Sequence, residues 1–226
     1  MEILDDIHVN IDREDVLRLQ GWRGRRPRRN IEDMLTSQIE EGFRLIQPKS
    51  IYTRVGIRQL RDECIELNNG FILRMANSAQ VWGGAECLGI AICTIDSTLE
   101  RRVSELFAEG EYPMAVMLDS VGSVAVEGVV DYVNAHFCQL AADMNMGTGP
   151  RLSPGYGEWE LTDQQVIFEI LPGAEIGVRI NEDCIMLPQK SVSFCVGMGR
   201  EMVTMHGGNR CEQCGMEDCA YRKQVP

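Results

Sequence analysis

Apolar positions at Ile31, Met34, Leu35, Ile39, Phe43 and Ile46 recur at helical spacing. They predict an amphipathic helix over residues 31–46, stopped by Pro48. Upstream, the alternation Ile7-His8-Val9-Asn10-Ile11 predicts a short extended stretch, and Asp12 opens a helical segment, DREDVLRLQ, that stops at Gly21. Ile51 to Ile57 reads as a strand. Cys64 to Leu67, the turn Asn68-Asn69-Gly70 and Phe71 to Leu73 read as a tight hairpin, because those turn residues tolerate positive φ.

Leu88 to Ile95 is a nearly continuous apolar run, the pattern of a strand covered on both faces. Ser97 or Thr98 then caps a helix, LERRVSELFAEG, that ends at Gly110. The longest helical signal runs from Tyr112 to Met144. Its small residues Ala115, Gly122, Ala125 and Gly128 would let another backbone approach, so a buried helix is expected. Residues 145–158, NMGTGPRLSPGYGE, are rich in glycine and proline and read as a long loop without regular structure, the kind that often carries function. Thr162 and Gln165 form a capping-box pattern ahead of a helix over TDQQVIFEIL. Glu175 to Ile180, Cys184 to Leu187 and Ser191 to Val196 read as strands. The pattern is α+β, with no internal repeat.

At 226 residues the chain is one large domain, or a domain with an appendage. The expected division is an N-terminal helical segment (1–60) packing on an α+β core (61–200), followed by a Cys-rich tail (201–226). The apolar stretch Met114 to Val130 is interrupted by Asp119 and Glu127, and MEILDDIHVN lacks a basic region followed by an apolar one. No membrane span and no secretory signal are expected, which points to the cytoplasm.

Twenty-two Lys and Arg against 34 Asp and Glu give a net charge of −12, which argues against a generic nucleic-acid binder. The positive charge is uneven: Arg23, Arg25, Arg26, Arg28 and Arg29 fall within seven residues. Gly24 and Pro27 make this a loop, open to two readings: a solvated connection, or a docking patch for an acidic partner or a phosphate. Of nine cysteines, six are scattered singly and read as small buried hydrophobes in a reducing compartment. Cys211, Cys214 and Cys219 lie within nine residues, a spacing suited to a metal-wrapping loop, with His206 or Cys195 as a fourth ligand. Zinc would clip the tail and an iron–sulfur cluster would carry electrons; the spacing does not choose. His8 and His136 read as a polar residue near a strand and a helix residue near the core.

Within the core, Arg151-Leu152-Ser153-Pro154-Gly155-Tyr156-Gly157 combines an arginine fork with glycines that permit close backbone approach, which suits a small anionic or zwitterionic ligand. A surface turn is the other reading.

Three segments together carry a resemblance. Arg151-x-x-x-Gly155-Tyr156, the helical stretch Val126-Glu127-Gly128-Val129-Val130-Asp131-Tyr132 before it and Leu187-Pro188-x-x-Ser191-Val192-Ser193 after it resemble, in order and rough spacing, the S-adenosylmethionine-binding reactivation domain of cobalamin-dependent methionine synthase. The resemblance covers about residues 85–200. It implies an α+β unit with a twisted antiparallel sheet flanked by helices. It also implies that Arg151 faces the methionine carboxylate of S-adenosylmethionine, that Ser153, Pro154, Gly155 and Tyr156 hold the ligand through groups of that turn, and that Glu127 lies near the ammonium or sulfonium. A second reading of Glu127 is a helix carboxylate paired with an arginine. The chain departs from the family's Pro-Ala-Cys-Pro stretch, having Gly157-Glu158-Trp159-Glu160 instead, and residues 1–60 match the family too poorly to place its N-terminal acidic contact.

The cobalamin, folate and homocysteine modules are absent from the sequence, which implies a free-standing version acting on a corrinoid held by a partner: a corrinoid-binding protein, or a cobalamin-dependent methionine synthase lacking its own activation domain. The implied activity is participation in methyl transfer from S-adenosylmethionine to a cob(I)alamin-type corrinoid. That chemistry needs alignment rather than a general base, since the sulfonium methyl and the reduced cobalt are already reactive. Arg25, Arg26, Arg28 and Arg29 would then dock the partner. The rival readings are an iron–sulfur electron-transfer activator of a corrinoid protein and a zinc-clipped, non-enzymatic interaction module.

Overall fold

The computed structural model describes residues 1–22 and 26–203. In chain order the elements are β1 (Glu2–Leu4), α1 (Arg13–Leu19), α2 (Arg29–Leu45), β2 (Lys49–Leu60), β3 (Ile65–Leu67), β4 (Ile72–Leu73), α3 (Ser78–Val81), β5 (Cys87–Thr94), α4 (Thr98–Glu109), α5 (Tyr112–Asp143), β6 (Gly147–Leu152), α6 (Asp163–Ile170), β7 (Arg179–Ile180), β8 (Met186–Leu187) and β9 (Ser191–Gly199). A seven-stranded antiparallel sheet runs β4-β3-β2-β5-β9-β6, with β1 also pairing with β2. The α+β class with helices against an antiparallel sheet is the expected one.

All eight residues of β5 are buried, as a strand covered on both faces requires. One face of the sheet packs Tyr52, Ala91, Cys93, Phe194 and Val196 against α1, α2, α4 and α5. The other packs Ile51, Leu88, Ile90 and Ile92 against Trp82, Trp159, Ile167 and Val178. Helix α5 is long and apolar enough to cross a membrane, but most of its apolar window is buried against the sheet and the other helices. Its small residues admit neighbours as expected: a Cβ on Gly128 would come within 3.1 Å of the Asn10 backbone oxygen, so the N-terminal segment crosses there. The reciprocal device on α2 is Gly42, whose added Cβ would meet the Val121 side chain at 2.5 Å. The expected boundary at residue 60 falls at the end of β2, which pairs with β1 and then β3 on one side and with β5 on the other.

Four local expectations are corrected. Residues 7–11 form no strand; β1 lies earlier, and Ile7 and Ile11 are buried from an irregular segment. The 145–158 stretch is not all loop, since residues 147–152 form β6. The strand tolerates Gly149 and Pro150 because it is an edge strand with a bulge between Thr148 and Arg151, so no ladder bond is needed from proline. The capping box on α6 does not form: the Thr162 hydroxyl turns to Glu160, and Asp163 is drawn into the core. Residues 173–176 form a 3-10 turn, leaving only the short β7 of the strand expected from Glu175.

Candidate functional site

Arg151 is the penultimate residue of β6, opposite Val196 on β9. Its side chain is 7% exposed and turns to the helical face of the sheet, with its guanidinium carbon 5.6 Å from the centre of the Phe194 ring. From α5, Glu127 approaches Nη2 at 3.1 Å and Asp131 approaches Nη1 at 3.2 Å. The two carboxylates are four residues apart and so share a helix face. They are unequal, Glu127 being 34% and Asp131 61% exposed. The structure therefore brings Arg151 and Glu127 together. It adds Asp131 and Phe194, which the sequence reading did not single out. The i,i+4 spacing from Glu127 could have found Asp131; nothing in the local sequence flags Phe194.

The turn after Arg151 is closed by its own backbone. Gly155 N–H donates to the Trp159 carbonyl at 2.8 Å, and Tyr156 N–H donates to the Ser153 carbonyl at 3.2 Å. Gly155 and Gly157 have φ of +88° and +60°, where a Cβ is unfavourable. Ser153 and Pro154 are buried, whereas the Tyr156 ring is largely exposed. The Ser153 hydroxyl has no hydrogen-bond partner among the described residues, although it is buried. Such an orphan is costly and marks a place where a further polar group would be accepted.

Within the segment that departs from the family pattern, Trp159 alone is buried and plugs the core. Trp159 packs edge-on against Trp82 with ring centres 5.9 Å apart, and its indole N–H donates to Asp163 at 2.9 Å. The backbone N–H of Arg74 donates to the same carboxylate. Burial pushes the Asp163 carboxyl above its ordinary range, against the lowering effect of these donors. Ser191 and Ser193 in the third segment are braces: Ser191 donates to Thr94 at 2.9 Å, and Ser193 to Gln164 at 3.3 Å. Lys190 anchors the start of β9 to α5 through Asp119 at 2.8 Å and the Ser123 hydroxyl at 2.8 Å. This third segment serves the site by holding β9, and hence Phe194, beneath Arg151.

Cys93, on the same face as Arg151, is fully buried, and burial pushes its thiol up to about 12. Cys195 lies in the opposite core layer, where it is fully buried and burial also pushes its thiol up. No cluster of three or more metal-ligating side chains occurs among the described residues. Cys211, Cys214, Cys219 and His206 lie outside them, as does Arg25. Arg26, Arg28 and Arg29 are exposed just before and at the start of α2.

No family model matches the chain, and no curated protein matches it. Among solved structures it is similar to one described as the MetH reactivation domain bound to AdoHcy. The TM-score is 0.68 and the identity 13%, with 89% of this chain and 80% of the other covered. At that identity the likeness is one of fold: this protein has the fold of a methionine synthase reactivation domain.

Proposed function

We propose that the chain binds S-adenosylmethionine in the turn from Arg151 to Tyr156 and supports reductive methylation of a corrinoid carried by a partner protein. The observation that carries this reading is the shared fold with a solved reactivation domain that holds AdoHcy, the demethylated product of that ligand. The residues present suit the ligand. Glu127 and Asp131 outweigh Arg151 in charge, which favours a sulfonium and an ammonium close by. The buried Ser153 hydroxyl would gain a partner.

In this reading Arg151 both orients the two carboxylates and receives the methionine carboxylate. Asp131, the more exposed of its two partners, would yield its place. Gly155 lets the ligand approach the backbone, and Tyr156 offers its ring from the open side. Bound corrinoid would supply the nucleophilic cobalt; the chain's part is to align the methyl donor and exclude water. Zinc or an iron–sulfur cluster at Cys211, Cys214 and Cys219 is proposed on their spacing, and a cytoplasmic setting on the scattered free thiols.

The test is calorimetric titration of S-adenosylmethionine into the wild type and Arg151→Ala. Binding by the wild type, weakened about ten- to hundredfold in the variant, is expected for loss of a charge-assisted contact. No binding by the wild type refutes the reading. Equal binding by both proteins refutes the role of Arg151.

A further inference from the structure

A cleft of about 340 Å³ opens on the helical side of the molecule, lined by Trp22, Ile31, Met34, Tyr112, Val116 and Met117 among others. Three elements converge on it: the end of α1, the first turns of α2 and the first two turns of α5. Gln20 holds the α1 end in place by donating to the Val116 carbonyl at 3.0 Å and to the Ser120 hydroxyl at 2.5 Å. The cleft is therefore built by tertiary hydrogen bonds and not by a loose terminus.

Its apolar lining continues outward. Tyr112 is 60% and Val116 44% exposed, and Phe107 on α4, 43% exposed, lies with its ring centre 6.2 Å from that of Tyr112. Contiguous aromatic and aliphatic exposure of this kind is unusual on a surface that meets only water. It also extends further than a small ligand needs.

The charge around it is uneven: Asp33 and Glu111 are exposed next to lining residues of α2 and α5, whereas the stretch leading into α2 is basic. Arg26, Arg28 and Arg29 stand between Trp22 and Ile31 in sequence and are exposed, and among the described residues none of the three forms a salt bridge. The carboxylate nearest them in sequence on α2, Glu32, is taken by Arg13 at 2.8 Å. A protein of net charge −12 thus places three arginines with no ion-pair partner among the described residues on the stretch that joins two lining residues of its apolar cleft, Trp22 and Ile31. That combination complements an amphipathic helix with an apolar stripe and an acidic border, the stripe filling the cleft and the border meeting the arginines. Tyr112 and Val116, four residues apart on one face of α5, offer the apolar wall against which the stripe of such a helix would pack.

We infer that this cleft is the docking groove for an acidic amphipathic helix of a partner protein. The groove uses the N-terminal end of α5, whereas the carboxylate partners of Arg151 lie farther along that helix, and the inference stands or falls independently of the ligand proposed there.

The probe is a fluorescein-labelled helix of about 18 residues, with leucines on one face and glutamates on the other. Its counterpart with lysines in place of the glutamates and a scrambled acidic sequence serve as controls, and all are followed by anisotropy with the full chain. The acidic helix is expected to bind, more weakly as salt rises, while the lysine and scrambled peptides do not. Val116→Asp and Tyr112→Ser should each weaken binding about tenfold or more, as loss of an apolar anchor does. The triple change R26S/R28S/R29S should weaken it at low salt and flatten the salt dependence. Calorimetry with S-adenosylmethionine on the same variants should be unchanged from the wild type, separating this result from the ligand site. Three outcomes overturn the inference: no binding of the acidic helix, equal binding of all three peptides, or binding untouched by Val116→Asp. Saturable binding of decanoate that Val116→Asp abolishes, with no peptide binding, would show instead a site for small amphiphilic anions.

Discussion

The guanidinium of Arg151, at the end of an edge strand, meets the carboxylate of Glu127, in the middle of the longest helix, at 3.1 Å. This contact ties the sheet edge to α5 across 24 residues of sequence, and Asp131 joins it from the next helical turn. Because Arg151 is 7% exposed while both carboxylates reach water, the pair is asymmetric: the cation depends on its partners more than they depend on it.

Arg151→Ala is therefore expected to destabilise the fold by about 2 kcal/mol. This is below the roughly 3–5 kcal/mol of breaking a wholly buried pair, because the carboxylates left behind are solvated. Arg151→Lys should recover only part of the loss, since an ammonium cannot span Glu127 and Asp131 with a planar fork or lie over Phe194 in the same way. Urea unfolding of the three proteins measures this. Equal stability of the lysine variant and the wild type would show that charge alone, without geometry, holds the edge strand.

The indole of Trp82 lies over backbone that carries no side chain. A Cβ built on Gly197 would come within 2.7 Å of its ring, and one on Gly149 equally close. Trp82 also donates to the Pro150 carbonyl at 2.9 Å, so the ring is fixed from both sides of the β6–β9 pair. Gly197→Ala should cost about 1–3 kcal/mol by overpacking. Combining it with Trp82→Phe should cost less than the two single losses added together, because the smaller ring relieves the clash. Strict additivity in a double-mutant cycle would contradict the contact.

The same glycines explain which parts of the fold were legible in sequence. Helices α2, α4 and α5 and strand β5 follow from periodicity, from the stop at Gly110 with φ +83° and from an unbroken apolar run, all of them local signals. Strand β6 was hidden because Gly149 and Pro150 are read locally as loop formers. Their place in a strand depends on β9 pairing from one side and on Trp82 needing space, neither of which is encoded nearby. Arg151 and Glu127 could be named from the family resemblance. Phe194 beneath them could not, because its position depends on register across the sheet. Trp159 was legible as a departure from the family pattern; that it plugs the second core layer emerges only where it meets Trp82 and Asp163.

Asp163 is a buried carboxylate with two designated donors, the Trp159 indole and the Arg74 backbone N–H. Asp163→Ala leaves both unsatisfied and should cost about 2–4 kcal/mol, whereas Asp163→Asn keeps an acceptor oxygen and should cost about half as much. Thermal unfolding followed by tryptophan fluorescence reports both the stability and the Trp159 environment. Equal loss in the two variants would mean that packing, and not hydrogen bonding, dominates at this position.

Tyr52 supplies a test by pH. Its hydroxyl donates to Glu2 at 2.6 Å, joining β1 to β2, and the His136 ring nitrogen lies 2.9 Å from the same oxygen. Burial, then the hydrogen bond to Glu2 and the charge of that carboxylate, push the phenol from 10.0 up to about 12. Below pH 10 the phenol is protonated in both the folded and unfolded chains, so its contribution to stability is fully present. Between about 10 and 12 the unfolded chain ionises first, the unfolded state gains, and the contribution is progressively lost. Tyr52→Phe removes this titration. The stability advantage of the wild type over Tyr52→Phe, measured as the difference in urea midpoints, should thus be largest near neutrality and shrink as pH rises from 10 to 11. In Glu2→Gln, which removes the carboxylate charge, the late-titrating tyrosine should ionise earlier by absorbance. A midpoint difference that stays constant across this range would show that the Tyr52 phenol is not held in its neutral form by the fold.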